Sequence, residues 1–352
     1  MTGMARSRQL RRVVALGGGT GLPAVLNGLR RHLPRECRIT AVVTAADDGG
    51  SSGLLRQQYD VLPPGDVRNC LVALARVAPE VTAALQCRLS VSSGPEHAMG
   101  NLLLTALNMV AADEIAAIRL AASLLGIEDV ILPSTTTRVN LVAELADGRR
   151  VRGESAIPHS GVRVVRLAID PSDALPAPGV LAAIGAADMV ILGPGSFYTS
   201  VLATSIVPGI AEAIVATQAM KVFVCNLMTE PGETDGFGVA AHLHALRAHG
   251  LPPETFDYVV LNGAAIPEKI RARYLAQGAE PVRLDWSVSG AGPVVVTADL
   301  LASGPVLRHD HDKIGRCLSA LAEMNDEFQL PHVDNHKTDG LDPVAVNLAG
   351  RL

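Results

Sequence analysis

Residues 44–69 concentrate side chains that could bind or transform a ligand. Two adjacent carboxylates, Asp47 and Asp48, are followed by glycines and by the hydroxyl groups of Ser51 and Ser52. The stretch directly follows an apolar run that predicts a buried strand, and open α/β sheets bind ligands at the carboxyl ends of their strands. The carboxylates suit sugar hydroxyls or Mg²⁺, and the alternative is an Asx-type turn that caps a helix.

The same stretch ends in a second polar motif. Asp66 is placed to cap a helix that begins near residue 67, which puts Arg68 and Asn69 on its first turn. Capping and ligand contact are compatible at such a position. We therefore expect these three residues to lie near the ligand.

A glycine-rich loop comes earlier, between an apolar strand pattern and a helical pattern. It contains Gly18, Gly19, Thr20, Gly21 and Leu22. Backbone N–H groups at a helix start can bind an anion, and glycines allow a phosphate to approach closely. Leu22 stands where a dinucleotide fingerprint has its third glycine, and the Lys-Ser/Thr of a P-loop is missing. Ordinary NAD binding and NTP hydrolysis are disfavoured, which leaves phosphate binding or a tight strand-helix turn.

Further small polar residues follow predicted strands or open a predicted helix. They are Gly193, Gly195 and Ser196 after one strand, Asn226 after the next strand, and Gly100 and Asn101 at a helix start. Ser196 does not satisfy the Gly-x-Ser-x-Gly motif of a hydrolase nucleophile, because Tyr198 stands where that motif has its second glycine. Anion binding is the favoured interpretation of this loop.

Tyr274 and Arg308 are candidates for the nucleoside end of a nucleotide site. Tyr274 lies in a helical pattern and Arg308 follows an apolar run, so the simplest interpretation is a solvated surface. A nucleotide, however, needs an aromatic ring or a guanidinium group for its base and diphosphate, and glycine-rich loops supply neither.

Composition excludes several classes of function. The 352-residue chain has a formal charge of -5 and 3% aromatic residues, which argues against binding of nucleic acid. Its five cysteines form no Cys-x-x-Cys pair, as expected for reduced thiols in the cytoplasm. No apolar stretch reaches the roughly 18 to 20 residues of a membrane span.

The order of patterns predicts an α/β fold with a doubly wound, mostly parallel sheet and helices on both faces. Short strand patterns and an Asp-Gly turn predict a small antiparallel insertion at about 130–170. We expect a single domain over residues 1–328. Residues 329–352 lack helical periodicity and are predicted to form a mobile tail.

Six motifs, taken together and in order, resemble the YvcK/CofD-like family over about residues 13–318. They are the loop 17–22, residues 46–53, 63–71, 100–102 and 193–200, and the segment 226–234. The last segment is closer to the YvcK branch, whose members are called gluconeogenesis factors.

The resemblance implies a Rossmann-like fold and a regulatory protein that binds UDP-sugars such as UDP-N-acetylglucosamine. It implies a role that links growth on gluconeogenic carbon sources to cell-wall synthesis and cell shape, without catalytic residues or a required cofactor. The alternative is the sister branch, the 2-phospho-L-lactate transferases of coenzyme F420 synthesis. Such an enzyme would use Mg²⁺ at Asp47 and Asp48 with a nucleotide diphosphate donor.

The resemblance also sets expectations for the site and the partners. The expected nucleotide-sugar-binding residues are Gly18, Gly19, Thr20, Gly21, Leu22, Asp47, Asp48, Ser51, Ser52, Asp66, Arg68, Asn69, Gly100, Asn101, Gly193, Gly195, Ser196, Asn226, Tyr274 and Arg308. Expected partners are cell-wall synthesis proteins and a Ser/Thr kinase, and a homodimer is compatible with the resemblance. His311 stands where some relatives carry a phosphorylatable threonine, so kinase control would need another residue.

Overall fold

A computed structural model describes residues 10–90, 96–286, 292–327 and 346–347. The strands are β1 (Arg12–Gly17), β2 (Arg38–Val43), β3 (Arg88–Ser90), β4 (Glu96–Ala98), β5 (Val130–Pro133), β6 (Asn140–Leu145), β7 (Arg150–Arg152), β8 (Val164–Asp170), β9 (Met189–Leu192), β10 (Met220–Val224), β11 (Tyr258–Asn262), β12 (Val294–Ala298) and β13 (Val346–Asn347).

Helices connect most of these strands. They are α1 (Gly21–His32), α2 (Gly50–Tyr59), α3 (Pro64–Leu74), α4 (Pro79–Gln86), α5 (Met99–Val110), α6 (Glu114–Leu124), α7 (Val180–Gly185), α8 (Ala203–Ser205), α9 (Ile210–Ala216), α10 (Val239–Ala248), α11 (Glu268–Leu275) and α12 (His311–Glu327). One turn of π-helix, Phe197–Leu202, precedes α8.

The central sheet has eight parallel strands in the order β13-β12-β11-β10-β9-β1-β2-β5. The strands β2 and β5 lie on one side of β1. The chain then crosses over to the other side of β1, where β9 to β13 follow in order. The loops that follow β1 and β9 therefore diverge at this point. In an open α/β sheet this topological switch point is where a crevice forms and ligands bind.

Both faces of the sheet are covered, as the doubly wound prediction requires. In β1, Val13 and Ala15 belong to one buried apolar cluster, and Val14 and Leu16 belong to another on the opposite face. Alternate side chains of a strand point to opposite faces, so a continuous apolar run such as β1 indicates a strand buried on both sides. The expected fold class is confirmed.

Two helices cross closely beside the switch point. Gly28 of α1 packs against Gly315 of α12, and a Cβ added at Gly28 would lie 2.9 Å from the Cα atom of Gly315. Without side chains at the crossing the two backbones can approach each other. Both helices begin at the carboxyl edge of the sheet, so this contact fixes the position of one N-terminus relative to the other.

The antiparallel insertion is present but starts later than expected. Strands β7, β6 and β8 form a three-stranded antiparallel sheet between residues 140 and 170. Val130–Pro133, expected within this insertion, instead pairs in parallel with β2 at the edge of the central sheet. A short apolar strand carries no local signal for the sheet that it joins.

The expected tail lies almost wholly outside the described residues. Its exception is Val346–Asn347, which pairs in parallel with β12. Within the described part of the chain, no single helix is long and apolar enough to cross a membrane, and one bent pair, Phe197–Ser205 with Ile210–Ala216, meets that test only when its two helices are combined.

Candidate functional site

A cavity of about 710 Å³ opens at the switch point. The loops after β1, β9 and β10 line it together with α3, α4, α11 and the start of α12. Of the residues expected from the sequence, those that line the cavity are Gly19, Thr20, Gly21, Asn69, Gly195, Ser196, Asn226, Tyr274 and Arg308. These residues come from six separate segments, and the parallel topology brings them together.

The glycine-rich loop forms one wall. Helix α1 begins at Gly21, and a Cβ there would overlap the carbonyl oxygen of Pro194 in the loop after β9. Only glycine allows the two backbones this contact. Gly19 has a φ of 60°, a left-handed conformation that glycine adopts without strain. The two glycines therefore let the backbone of the loop face the cavity at the start of α1, as in phosphate-binding turns.

Helix α3 holds this loop from the other side. The Oδ2 atom of Asp66 accepts a hydrogen bond of 2.9 Å from the N–H of Gly19. The Nδ2 atom of Asn69 donates to the Gly19 carbonyl at 3.4 Å. Burial raises the pKa of Asp66 to about 6, with the Gly19 N–H opposing the shift and the charge of Asp47 adding to it. Asp66 thus positions the loop from behind the cavity wall.

A network of side chains supports Asn69 in turn. The guanidinium of Arg68 donates to Asn69 at 2.8 Å and to Asn101 at 3.0 Å. Asn101 then donates to Ser51 at 3.0 Å. Gly100 leaves room for the aliphatic part of the Arg68 side chain, because a Cβ there would lie 2.7 Å from the Cγ atom of Arg68. Ser51, Arg68, Gly100 and Asn101 therefore lie behind Asn69 and do not line the cavity themselves.

The Asp-Asp pair also lies outside the cavity lining. Both carboxylate oxygens of Asp48 accept backbone hydrogen bonds of 2.9 Å, from Glu154 and Ser155 of the insertion. Asp47 accepts one from Gly49 at 2.9 Å. The two carboxylates therefore hold the turn and the insertion together.

The other expected residues have structural contacts as well. The hydroxyl of Ser52 accepts a hydrogen bond of 3.1 Å from the N–H of Gly65. Leu22 is fully buried in the core between α1 and the sheet. Gly18 and Gly193 lie behind the wall: a Cβ at Gly193 would approach the carbonyl oxygen of Val224 to 2.8 Å.

Glu154 joins this acidic group from the insertion and was not expected from the sequence. Burial raises its pKa to about 7, and the charges of Asp47, Asp48 and Asp66 add to the shift. Among the described residues, no three Asp, Glu, His or Cys side chains have the arrangement to hold a metal ion. Mg²⁺ at Asp47 and Asp48 stays a prediction from the sequence.

Glu230, a second residue that the sequence prediction missed, contacts three groups of the opposite cavity wall. Its Oε1 atom accepts from the Ser196 hydroxyl at 3.0 Å, and its Oε2 atom accepts from the Phe197 N–H at 3.0 Å. Asn226 donates to the same Oε2 atom at 3.2 Å and accepts from the Gly195 N–H at 3.0 Å. The carboxylate therefore fixes the directions of the Ser196 and Asn226 side chains.

Glu233 accepts hydrogen bonds from the next residues of the π-helix Phe197–Leu202. It accepts from the N–H groups of Tyr198 at 3.0 Å and Thr199 at 3.3 Å, and from the Thr199 hydroxyl at 3.1 Å. Burial, together with the charge of Glu230, raises the pKa of Glu233 to about 8. The N–H groups of Phe197, Tyr198 and Thr199, which follow the loop where we expected an anion, thus already donate to Glu230 and Glu233.

Tyr274 and Arg308 lie at the far end of the cavity. The Tyr274 hydroxyl accepts a hydrogen bond of 3.1 Å from the N–H of Leu307, and the Arg273 guanidinium lies 5.3 Å from the centre of the Tyr274 ring. The neighbouring His309 is buried, which lowers its pKa to about 4 and keeps its imidazole neutral at pH 7. Arg308 therefore supplies the positive charge at this end.

Comparisons with known proteins agree with this architecture. The family model described as 2-phospho-L-lactate transferase CofD matches residues 13–301. A gluconeogenesis factor from Halalkalibacterium halodurans is 40% identical over 309 residues, which span 87% of this chain and 95% of the relative. A putative gluconeogenesis factor from a Nostoc species is 42% identical over 87% of this chain and 68% of the relative.

A solved structure shares the fold. The crystal structure of a UPF0052 family protein from Bacillus halodurans has a TM-score of 0.81 and 38% sequence identity. The similarity covers 88% of this chain and 98% of that protein. This chain therefore belongs to the CofD (UPF0052) family, and its similarity to members named gluconeogenesis factor extends over most of its length.

Proposed function

We propose that this protein is a regulator that binds a nucleotide sugar of the UDP-N-acetylglucosamine type. The observation that carries the proposal is one cavity that combines a glycine-rich helix start, Gly19 to Gly21, with Arg308 and Tyr274. Its volume of about 710 Å³ lies within the roughly 300–1,000 Å³ range of ligand pockets.

Each part of such a ligand has a chemical counterpart in the cavity. The diphosphate lies against the backbone N–H groups at the start of α1, where the helix dipole favours negative charge. The uracil lies at the end that carries Tyr274 and Arg308. The N-acetylglucosamine extends toward Asn69 and the α3 side, where amide groups suit sugar hydroxyls.

A regulatory role, rather than hydrolase catalysis, is supported by the hydrogen bond that the Ser196 hydroxyl makes in the cavity. Ser196 donates to the Glu230 carboxylate instead of to a histidine, so it does not form the Ser-His pair of a hydrolase nucleophile. The relatives named gluconeogenesis factor support a role in gluconeogenic carbon metabolism. We propose in addition that this role is linked to cell-wall synthesis and cell shape. We place the protein in the cytoplasm, with cell-wall synthesis proteins and a Ser/Thr kinase as partners and a homodimer as a compatible assembly.

Calorimetric titration with UDP-N-acetylglucosamine, UDP, GDP and NAD tests the proposal. Wild-type protein binds the uridine nucleotides, and Arg308→Ala weakens their binding by about tenfold or more because a charged hydrogen-bond donor to phosphate or base is lost. The control is Arg271→Ala, whose side chain is half exposed and contacts Glu268 on the outer face of α11. Absence of binding by the wild-type protein would exclude the proposed function.

A second candidate function is a transferase of the coenzyme F420 pathway, because the matching family model carries that description. Such an enzyme transfers a phospholactyl-type group from a nucleotide diphosphate to a deazaflavin. Mass spectrometry of an incubation with Mg²⁺, the donor and the deazaflavin separates the two candidates. Our proposal expects unchanged deazaflavin, and a phospholactyl product would favour the transferase.

A further inference from the structure

We propose that Glu230, together with Ser196 and Asn226, is the subsite for the ribose hydroxyls of the nucleotide. This inference rests on the proposed function and deepens it, because it assigns one part of the ligand to one cluster of the cavity. The glycine-rich sequence suggests that this cluster binds an anion. We infer instead that it accepts hydrogen bonds from hydroxyl groups.

The hydrogen-bond directions define what the cluster offers to a ligand. All three side chains line the cavity and are half buried. Ser196 uses its single proton in the bond to Glu230, so only its lone pairs face a ligand. An ionised carboxylate has about four acceptor sites and no proton to donate. Glu230 already accepts three hydrogen bonds, two of them at Oε2, so a lone pair of Oε1 remains for a ligand hydroxyl.

The same geometry excludes a phosphate from this cluster. The N–H groups of Phe197, Tyr198 and Thr199 already donate to Glu230 and Glu233. A phosphate here would meet acceptors and a negative charge instead of donors. Among the described residues that line the cavity, Glu230 is the one carboxylate, so the negative charge that would repel a phosphate lies in this cluster.

The order of the strands places the cluster between the two ends of the nucleotide. Asn226 and Glu230 follow β10, whereas Tyr274 and Arg308 come after β11 and β12 on one side. The glycine-rich loop follows β1 on the other side. In a nucleotide, the ribose joins the base to the diphosphate. With the base at Tyr274 and Arg308 and the diphosphate at the glycine-rich loop, the ribose lies between them and its hydroxyls face the segment after β10.

A carboxylate at a strand end is the usual acceptor for ribose hydroxyls in dinucleotide-binding folds. Asp47 and Asp48 were the sequence candidates for such contacts. Their hydrogen bonds to Gly49, Glu154 and Ser155, and their position outside the cavity lining, leave that role to Glu230.

The test compares UDP with 2′-deoxy-UDP and 3′-deoxy-UDP by calorimetry. A site built to accept hydroxyl protons loses affinity when the hydroxyl is absent. Wild-type protein is expected to bind UDP about tenfold more tightly than the deoxy analogue that lacks the recognised hydroxyl, as for a hydrogen bond to a charged acceptor. Glu230→Gln is expected to reduce this ratio to within about threefold of unity.

Glu233→Gln is the matched control. It makes the same change from carboxyl to amide in the same segment after β10, at a buried residue that contacts the same π-helix but does not line the cavity. It is expected to keep the wild-type ratio. Thermal melting checks the fold of each variant, and Ser196→Ala, which removes one acceptor but keeps the carboxylate, carries the same test if Glu230→Gln does not fold.

The possible outcomes separate the inference from the proposed function. Equal affinity of the wild-type protein for UDP and both deoxy analogues overturns the ribose assignment while nucleotide binding stands. A Glu230→Gln variant that weakens UDP-N-acetylglucosamine but not UDP moves the cluster to the hexose and also overturns it. No binding of any uridine nucleotide by the wild-type protein overturns the proposed function and this inference together.

Discussion

At the scale of single residues, buried carboxyl groups make stability depend on pH. The pKa of Glu154 is raised to about 7 and that of Glu233 to about 8, from an ordinary value of 4.5. Between the ordinary and the raised pKa, the folded protein binds more protons than the unfolded chain. The stabilising contribution is therefore complete below about pH 4.5 and is lost as the pH rises through the raised values.

The substitution Glu233→Gln tests this dependence, because an amide mimics the protonated carboxyl. We expect the free energy of unfolding of the wild-type protein to fall between pH 5 and pH 8, and to fall less steeply in the variant. Chemical unfolding at several pH values measures both slopes, with the exposed surface change Glu268→Gln as the control. Equal slopes in the wild type and in Glu233→Gln would show that Glu233 does not hold the proton.

Residues that the sequence analysis missed share one physical reason. Glu230 and Glu233 contact a loop more than 30 residues earlier, as the separation of 34 residues between Ser196 and Glu230 shows. No local pattern reports such a contact. The glycine-rich loop was predictable because its strand, turn and helix start are contiguous, and only the fold decides that Asp48 binds the insertion instead of a ligand.

At the scale of elements, the crossing of α1 and α12 holds two ends of the cavity in place. Gly28→Ala adds a Cβ that would overlap the His311 carbonyl and press on Gly315. We expect a loss of about 1–3 kcal/mol of stability from overpacking, although alanine has the higher helix propensity. Nucleotide binding should weaken as well, because α12 carries His311 at the cavity.

Urea unfolding and calorimetry measure the two effects. The matched control is Gly185→Ala in α7, where an added Cβ meets no atom within 4 Å and stability should stay the same or rise slightly. If Gly28→Ala were as stable as Gly185→Ala, the close crossing of the two helices would be incorrect.

Prediction of the elements succeeded where apolar runs were long and had clear boundaries. The patterns predicted β1, β2, β9 and β10, and each is present. β12 was not predicted, and β5 was expected in the insertion but belongs to the central sheet. Strand pairing depends on contacts between distant segments, so the pattern of a short strand does not specify its partner.

At the scale of the whole molecule, strand order explains why one cavity gathers distant residues. The sheet reverses direction between β1 and β9, and the loops on both sides of that reversal line the cavity. The sequence alone predicts the fold class, and it also predicts the glycine-rich and polar loops after β1, β9 and β10. The sequence alone does not separate the residues that line the cavity, such as Asn69, from the layer behind it, such as Arg68 and Asn101, because these roles depend on side-chain direction.

A crystal structure of the protein with bound UDP-N-acetylglucosamine tests the central claim most directly. We predict that the diphosphate lies against the backbone N–H groups of Gly19, Thr20 and Gly21, with the uracil beside Tyr274 and Arg308. A nucleotide bound on another surface, with Gly19 and Arg308 free of contact, would contradict the assignment of this cavity as the nucleotide-sugar site.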